Sequence, residues 1–344
     1  MTRTVRTATW RGVQGLLGLM GMTLSWHAQA QQQAPTVIYG ILDIGFGRYQ
    51  ASGLTRTTEV RSGQMAASRI GFTQKEDLGD GVFAGYTLES FLRLDTGASG
   101  RNDTDPFWSR EAFVQLGSSK LGSVRMGRMS TPLFDATARF NAFGASPGFS
   151  PALRHTFASG VLESVQGDQY WNSSIAYVSP NVEGFSLKAM HAYEPNGANR
   201  GNSSVGLTYS RGLVALAVTA QTVRIDSRQP DGSSEGAWQI AGSYNAGFGR
   251  VFALYGQNQD SGFDVASKVM SVGCTIRLWE GNVLAQFAQT NAQGDAIDRQ
   301  HQTMSLGYDY ELSKRQDVYL VMMRDQIRLQ PNGLTLATGI RYLF

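Results

Sequence analysis

From residue 36 to the final phenylalanine, apolar side chains return at every second position in one segment after another. In "LTLATGIRYLF" (334–344), Leu334, Leu336, Ile340, Tyr342 and Phe344 share one parity with Thr338, against Thr335, Ala337, Gly339, Arg341 and Leu343. "MSVGCTIRL" (270–278) divides the same way, with Met270, Val272, Cys274, Ile276 and Leu278 opposite Ser271, Gly273, Thr275 and Arg277. Such alternation marks a β-strand with one dry and one wet face. It restricts the chain to folds in which most strands bury only one side.

The first 30 residues stand apart. Arg3, Arg6 and Arg11 precede an apolar run from Val13 to Trp26, and "HAQA" ends at Ala30. A basic head, a short apolar middle and an A-x-A end predict a secretory signal peptide over 1–30, with a single domain over 31–344. A membrane anchor would need about 20 apolar residues, and this run is shorter and carries Gly15, Gly18 and Gly21. Without the leader, 30 basic and 27 acidic residues become 27 of each, because the leader holds three arginines and no acids. The basic balance belongs to the targeting segment, which removes the main support for a nucleic-acid partner. The single cysteine, Cys274, cannot form an internal disulfide, and His155, His191 and His301 are far apart in sequence with no Cys partner, so no metal site is expected. No cofactor motif is present.

Sixteen strand segments follow, near 36–49, 68–77, 82–95, 108–118, 122–130, 169–179, 183–194, 203–211, 213–226, 236–246, 249–259, 266–279, 281–291, 300–312, 315–329 and 333–344. "LVALAVTA" (213–220) and "VYLVMM" (318–323) are apolar on both parities, which leaves their facing open. Short connections such as "LGDG" (78–81) and "RG" (211–212) alternate with longer polar ones such as 51–64, 95–106 and 226–236. The stretch 131–168 is the longest. Export, an even strand count and loops of unequal length predict an all-β, 16-stranded antiparallel transmembrane β-barrel with short periplasmic turns and long outer loops. Closure satisfies every backbone group, as lipid requires. The dry face then meets outer-membrane lipid and the wet face lines an aqueous lumen. Asp43, Arg69, Lys75, Glu89, Arg93, Arg277, Asp309, Glu311 and Arg341 fall on the wet parity.

These segments resemble a family: the general porins of Gram-negative outer membranes in their beta-proteobacterial (Burkholderia/Bordetella/Neisseria-like) form. The resemblance is carried in order by "VIYGILDIGF" (37–46), "SRIGFTQKEDLGDG" (68–81), "LESFLRLDTG" (88–97), "SREAFVQLGSSKLGSVRMGR" (109–128), "AYVSPNVEGFS" (176–186), "LGYDYELSKRQDVY" (306–319) and "GIRYLF" (339–344). It implies a homotrimer whose third loop, here 131–168 with "PLFDATARFNAFG" (132–144), folds inward to narrow a pore for small hydrophilic solutes and ions. Arg69 and Arg110 match basic wall positions and Glu89 an acidic one; Arg128 and, on the loop, Asp135 are expected at the constriction with them. In such proteins opposed wall and loop charges set selectivity. The terminal pattern of such proteins, here with Tyr342 and Phe344, is what the barrel assembly machinery reads.

Departures from the pattern favour a positive constriction. Asn141 and Arg139 stand where relatives carry an acid and a neutral residue, Tyr170 replaces a wall cation, and Arg93 adds one. The expected activity is passive diffusion with anion preference, and not enzymatic. A channel specific for a small acidic or aromatic solute, using Tyr170 and Trp171, and a surface receptor barrel are the alternatives. By parity from Arg110, Glu111 faces lipid, where a mid-depth charge costs up to about 2–4 kcal/mol; with Arg125 it points to an intersubunit surface. "GASPG" (144–148) fits the G-x-S-x-G hydrolase pattern, but Pro147 follows the serine and no α/β units surround it.

Overall fold

The computed structural model describes residues 34–158, 164–194, 201–224, 232–295 and 297–344; the leader and parts of the 131–168 and 226–236 loops lie outside them. Among the described residues, eighteen extended segments form one antiparallel sheet that closes on itself. Two of them add no stave. Thr57–Ser62 and Arg69–Gly79 pair successively with the outer and inner halves of Val37–Tyr49, so they are one wall strand interrupted at 63–68. Ala98–Ser99 is a flap on Leu92–Arg93. The wall is a closed 16-stranded barrel.

Thr57–Ser62 is a strand, although its sequence predicts part of a long loop over 51–64. "TTEVRS" carries one strong apolar side chain, Val60, so its alternation is invisible without its partner strand.

The two segments of undecided facing are now resolved. Val214, Leu216 and Val218 point outward while Ala217, Thr219, Gln221 and Val223 are buried inside. Leu320 and Met322 point outward; Tyr319, Val321 and Met323 point in. Both faces are apolar because both are dry. The inner face does not meet water there: it packs on the inward-folded loop, with Ala217 against Ala136 and Phe140, and Tyr319 and Val321 against Phe143 and Phe149.

That loop is ordered by its own caps. Thr131 accepts the Phe134 N–H at 3.1 Å and Pro132 opens the helix Pro132–Arg139, the arrangement that supplies an orphan donor and needs no N–H at the first turn. The helix lies against Gly201–Arg211 and Val214–Val223.

Closure depends on the two ends of the barrel sequence. Asp43 stands opposite Arg341 in the ladder between Val37–Tyr49 and Gly333–Leu343. Beyond it Gly40 N–H donates to Phe344 O at 3.0 Å and Phe344 N–H to Gly40 O at 3.2 Å. The Phe344 ring occupies the space a side chain at Gly40 would fill, and it stacks on Tyr342. Deleting Phe344 removes both bonds and the ring, about 2–3 kcal/mol of apolar burial at most, at the last step of closure. The yield of heat-modifiable barrel in outer-membrane fractions should therefore fall severalfold. Unchanged yield would show that the closing pair is dispensable.

Candidate functional site

The site is built on the early strands. Gly71 has no side chain, and the Tyr39 ring lies in the space so left. From there the Tyr39 hydroxyl donates to Glu89 Oε1 at 2.8 Å. Glu89 is opposite Gly71 on one side and Glu111 on the other. Arg110 donates from its guanidinium to Glu89 Oε2, and its backbone N–H to the Glu89 carbonyl at 3.2 Å. Arg69 Nε stands 3.7 Å from Glu89 Oε1, with its Nη1 on Ala67 O at 3.2 Å. Arg69, Glu89 and Arg110 are thus brought together.

Glu111 and Arg125 do not face outward as parity from Arg110 predicts. Both point into the lumen. Arg110 precedes the ladder and reaches in from the strand's end, so parity counted from it is shifted by one; regular alternation begins at Glu111. Glu111 accepts from Ser130 Oγ at 3.2 Å. Arg125 is opposite Gln115 and its guanidinium lies 5.2 Å from the Phe113 ring centre. Neither residue supports an intersubunit surface.

The remaining expected constriction residues divide. Arg128 is buried at a register irregularity and donates to Ser109 O, Tyr170 O, Asn172 and Asp168. Arg101 grips the same Asp168 carboxylate at 2.7 Å. Burial lifts the Asp168 carboxyl, but hydrogen bonds and charge from Arg101, then Arg128, more than offset this and leave it below the ordinary carboxylate range. Tyr170 and Trp171 are 2% and 3% exposed. Tyr170 packs among Phe91, Phe134 and the guanidinia of Arg110 and Arg128, so it supports the arginines from behind and presents no ring to an open lumen. Arg93 leaves the cluster for the outer loop, where it pairs with Asp103 at 2.6 Å. Asn141 is buried and fully engaged: its amide donates to Thr137 O and Gly144 O and its oxygen accepts from Phe143 N–H and Ser150 Oγ. It clasps the loop. Asp135 and Arg139 are exposed on the helix, and Asp135 pairs with Lys188 at 2.7 Å. Lys188 escaped the sequence reading although it lies on the wet parity of its strand.

The other wet-face residues sit apart from this cluster. Lys75 is exposed, 3.8 Å from the Phe83 ring centre, beside the 80–81 turn. Arg277 pairs with Glu311 at 2.7 Å. Arg341 bridges Asp309 and Asp317 at 2.9 and 3.0 Å; Asp317 was hidden in the strand of undecided facing. Asp43 faces inward yet is sealed, accepting N–H groups of Gln64, Met65 and Ala66 and the Tyr319 hydroxyl. Ser146 of the hydrolase-like stretch is buried and donates to Gln64 O at 2.7 Å. In the 95–106 loop, Asn102 caps its own turn and Arg101 holds Asp105.

Comparison with known proteins agrees with this geometry. The family model described as Gram-negative porin matches residues 18–328. Outer membrane porin protein 32 of Delftia acidovorans is 28% identical over 322 residues, covering 89% of this chain and 87% of its own. Among solved structures, the anion-selective porin from Comamonas acidovorans superposes with a TM-score of 0.76 at 21% identity, over 91% of this chain and all of that one. The outer membrane protein OmpT of Vibrio cholerae, in its trimer form, gives 0.69 at 15% identity, over 91% of this chain and 100% of its own. The chain belongs to the Gram-negative porin family and is an outer-membrane β-barrel that forms a channel.

Proposed function

We propose that this porin is a homotrimeric diffusion channel that prefers anions, with Arg69 and Arg110 as the wall cations and the 131–168 loop as the constriction. The observation that carries the reading is the layering of charge. The Arg69 and Arg110 side chains keep 20% and 18% of their surface exposed, whereas Glu89 keeps 4%. The carboxylate sits behind the guanidinia, so a solute in the lumen meets cations first. Fixed charge in a channel with low-dielectric walls acts on a passing ion far more than the same charge in bulk water. Arg139, exposed on the loop helix, adds to the same sign. The inward Glu111 works against it, which limits the preference to a moderate one. The anion selectivity stated for the Comamonas acidovorans porin and the trimer form of the Vibrio cholerae barrel point the same way.

In this reading residues 1–30 direct export and are removed, and Tyr342 and Phe344 present the end of the barrel to the assembly machinery. Planar-bilayer reversal potentials in a salt gradient test the central claim. The zero-current potential should carry the sign of anion preference; a cation-preferring channel refutes it.

A further inference from the structure

A polar anchorage holds the loop to the late strands of the wall. His155, in the π-helical turn Arg154–Ala158, is fully buried against the wall. Its Nδ1 lies 2.7 Å from Thr290 Oγ1 and its Nε2 2.9 Å from Thr303 Oγ1. Thr303 gives its one hydroxyl proton to Asp325 Oδ1 at 2.7 Å. It must therefore accept from His155, which puts the proton of a neutral imidazole on Nε2 and leaves Nδ1 to accept from Thr290. The His301 ring lies 4.4 Å from that of His155, and its Nε2 donates to the same Asp325 oxygen at 2.8 Å. Asp325 also accepts the Ser52 N–H at 2.9 Å, and Arg154 Nε stands 3.4 Å from its Oδ1.

We propose that His155 is a positioning residue of the constriction, a latch that holds the turn Arg154–Ala158 to the wall when neutral and releases it in mild acid. This rests on the loop being the constriction. Among the described residues, the charged or titratable groups facing His155 are Arg154 on its own turn, His301 on one wall strand and Asp325 on the next. With His155 neutral, Asp325 balances Arg154 and receives His301. A proton on His155, or on both rings, sets two or three cations around one carboxylate. Each added proton places a charge in a buried site at a desolvation cost. The wall lies directly behind the turn, so a released segment has only the lumen to move into, and conduction falls.

The sign follows from linkage. Burial, then the charge of His301, holds the latched imidazole well below its ordinary value, Asp325 opposing this and Arg154 adding to it. A released imidazole returns to about 6.5. Latch stability is thus complete above about pH 6.5 and is lost as pH falls below it towards the depressed value, by up to about tenfold in equilibrium per pH unit for one proton.

The test is single-channel recording of the full-length protein from pH 7.5 to 4.5, with His155→Gln and His301→Gln beside it. Wild type should show stepwise closures whose open-to-closed ratio falls by up to about tenfold per pH unit below about 6.5. The pH dependence of that ratio should flatten in His155→Gln and weaken in His301→Gln. A wild-type ratio independent of pH, or an unaltered acid response in His155→Gln, overturns the latch. The wild-type titration decides the matter even where a variant fails to fold. A cation-preferring channel that still closes through His155 would refute the charge reading alone, and an anion-preferring channel blind to acid would refute the latch alone.

Discussion

Replacing both wall arginines, Arg69→Gln and Arg110→Gln, is expected to turn the proposed anion preference into a cation preference. The double variant removes two positive charges and leaves Glu89 opposite Glu111 on adjacent strands, with Tyr39 the remaining donor to Glu89. Two unit charges 4 Å apart interact by about 1 kcal/mol in bulk water and by about 4 kcal/mol at an effective dielectric of 20. Since about 1.4 kcal/mol is tenfold in an equilibrium, the anion-to-cation permeability ratio should fall by about tenfold or more, enough to reverse the zero-current potential. Stripping a buried carboxylate of its ionic partners costs roughly 3–5 kcal/mol, so the barrel should also unfold at lower temperature. Adding Glu89→Gln separates the two effects. The triple variant should regain thermal stability and be less cation-preferring than the double. An unchanged reversal potential in the double variant would mean that other charges set selectivity.

What alternation carries, the sequence displayed well. Leu334, Leu336, Ile340, Tyr342 and Phe344 face outward as their parity required, because each wall strand answers to lipid on one side and water on the other. The reading fails where that condition fails. Tyr319, Val321 and Ala217 point inward onto a dry loop, so their strands lost the contrast between faces. Glu111 was turned outward by counting from Arg110, a residue not yet in the ladder. Asn141 reads in sequence as a missing charge, although its amide is spent on four partners inside the loop. His155 and His301 share no local pattern at all. Only the closing of the barrel, with a loop folded into it, puts their rings in contact.

The inner placement of the loop depends on a residue that wet-face parity marks only as pore lining. Asp43 accepts three consecutive N–H groups, from Gln64, Met65 and Ala66, at 2.7, 3.3 and 3.2 Å. The interruption at 63–68 exists in this form because one carboxylate gathers those donors. Its product is the Gln64 carbonyl, which receives the Gly148 N–H at 3.0 Å and the Ser146 hydroxyl at 2.7 Å. The chain of cause therefore runs from Asp43 through the interruption to the tip of the loop. Asp43→Ala leaves those three N–H groups and the Tyr319 hydroxyl without their acceptor, each worth about 1–3 kcal/mol when buried and unmet, so the segment should rearrange to find water. The backbone ladder from Asp43 to Arg341 does not use the side chain, and Phe143 and Phe149 still pack on Tyr319 and Val321. The barrel should close and insert, but the loop tip loses its directed hold on Gln64 and keeps its apolar contacts and the Ser305 hydroxyl on Phe149 O at 2.8 Å. Open-channel noise at neutral pH should rise severalfold. Asp43→Asn, whose amide oxygen can still accept some of the same N–H groups, should fall between the two. Quiet, wild-type openings from Asp43→Ala would show that the apolar seat of the loop suffices and that the carboxylate merely fills space.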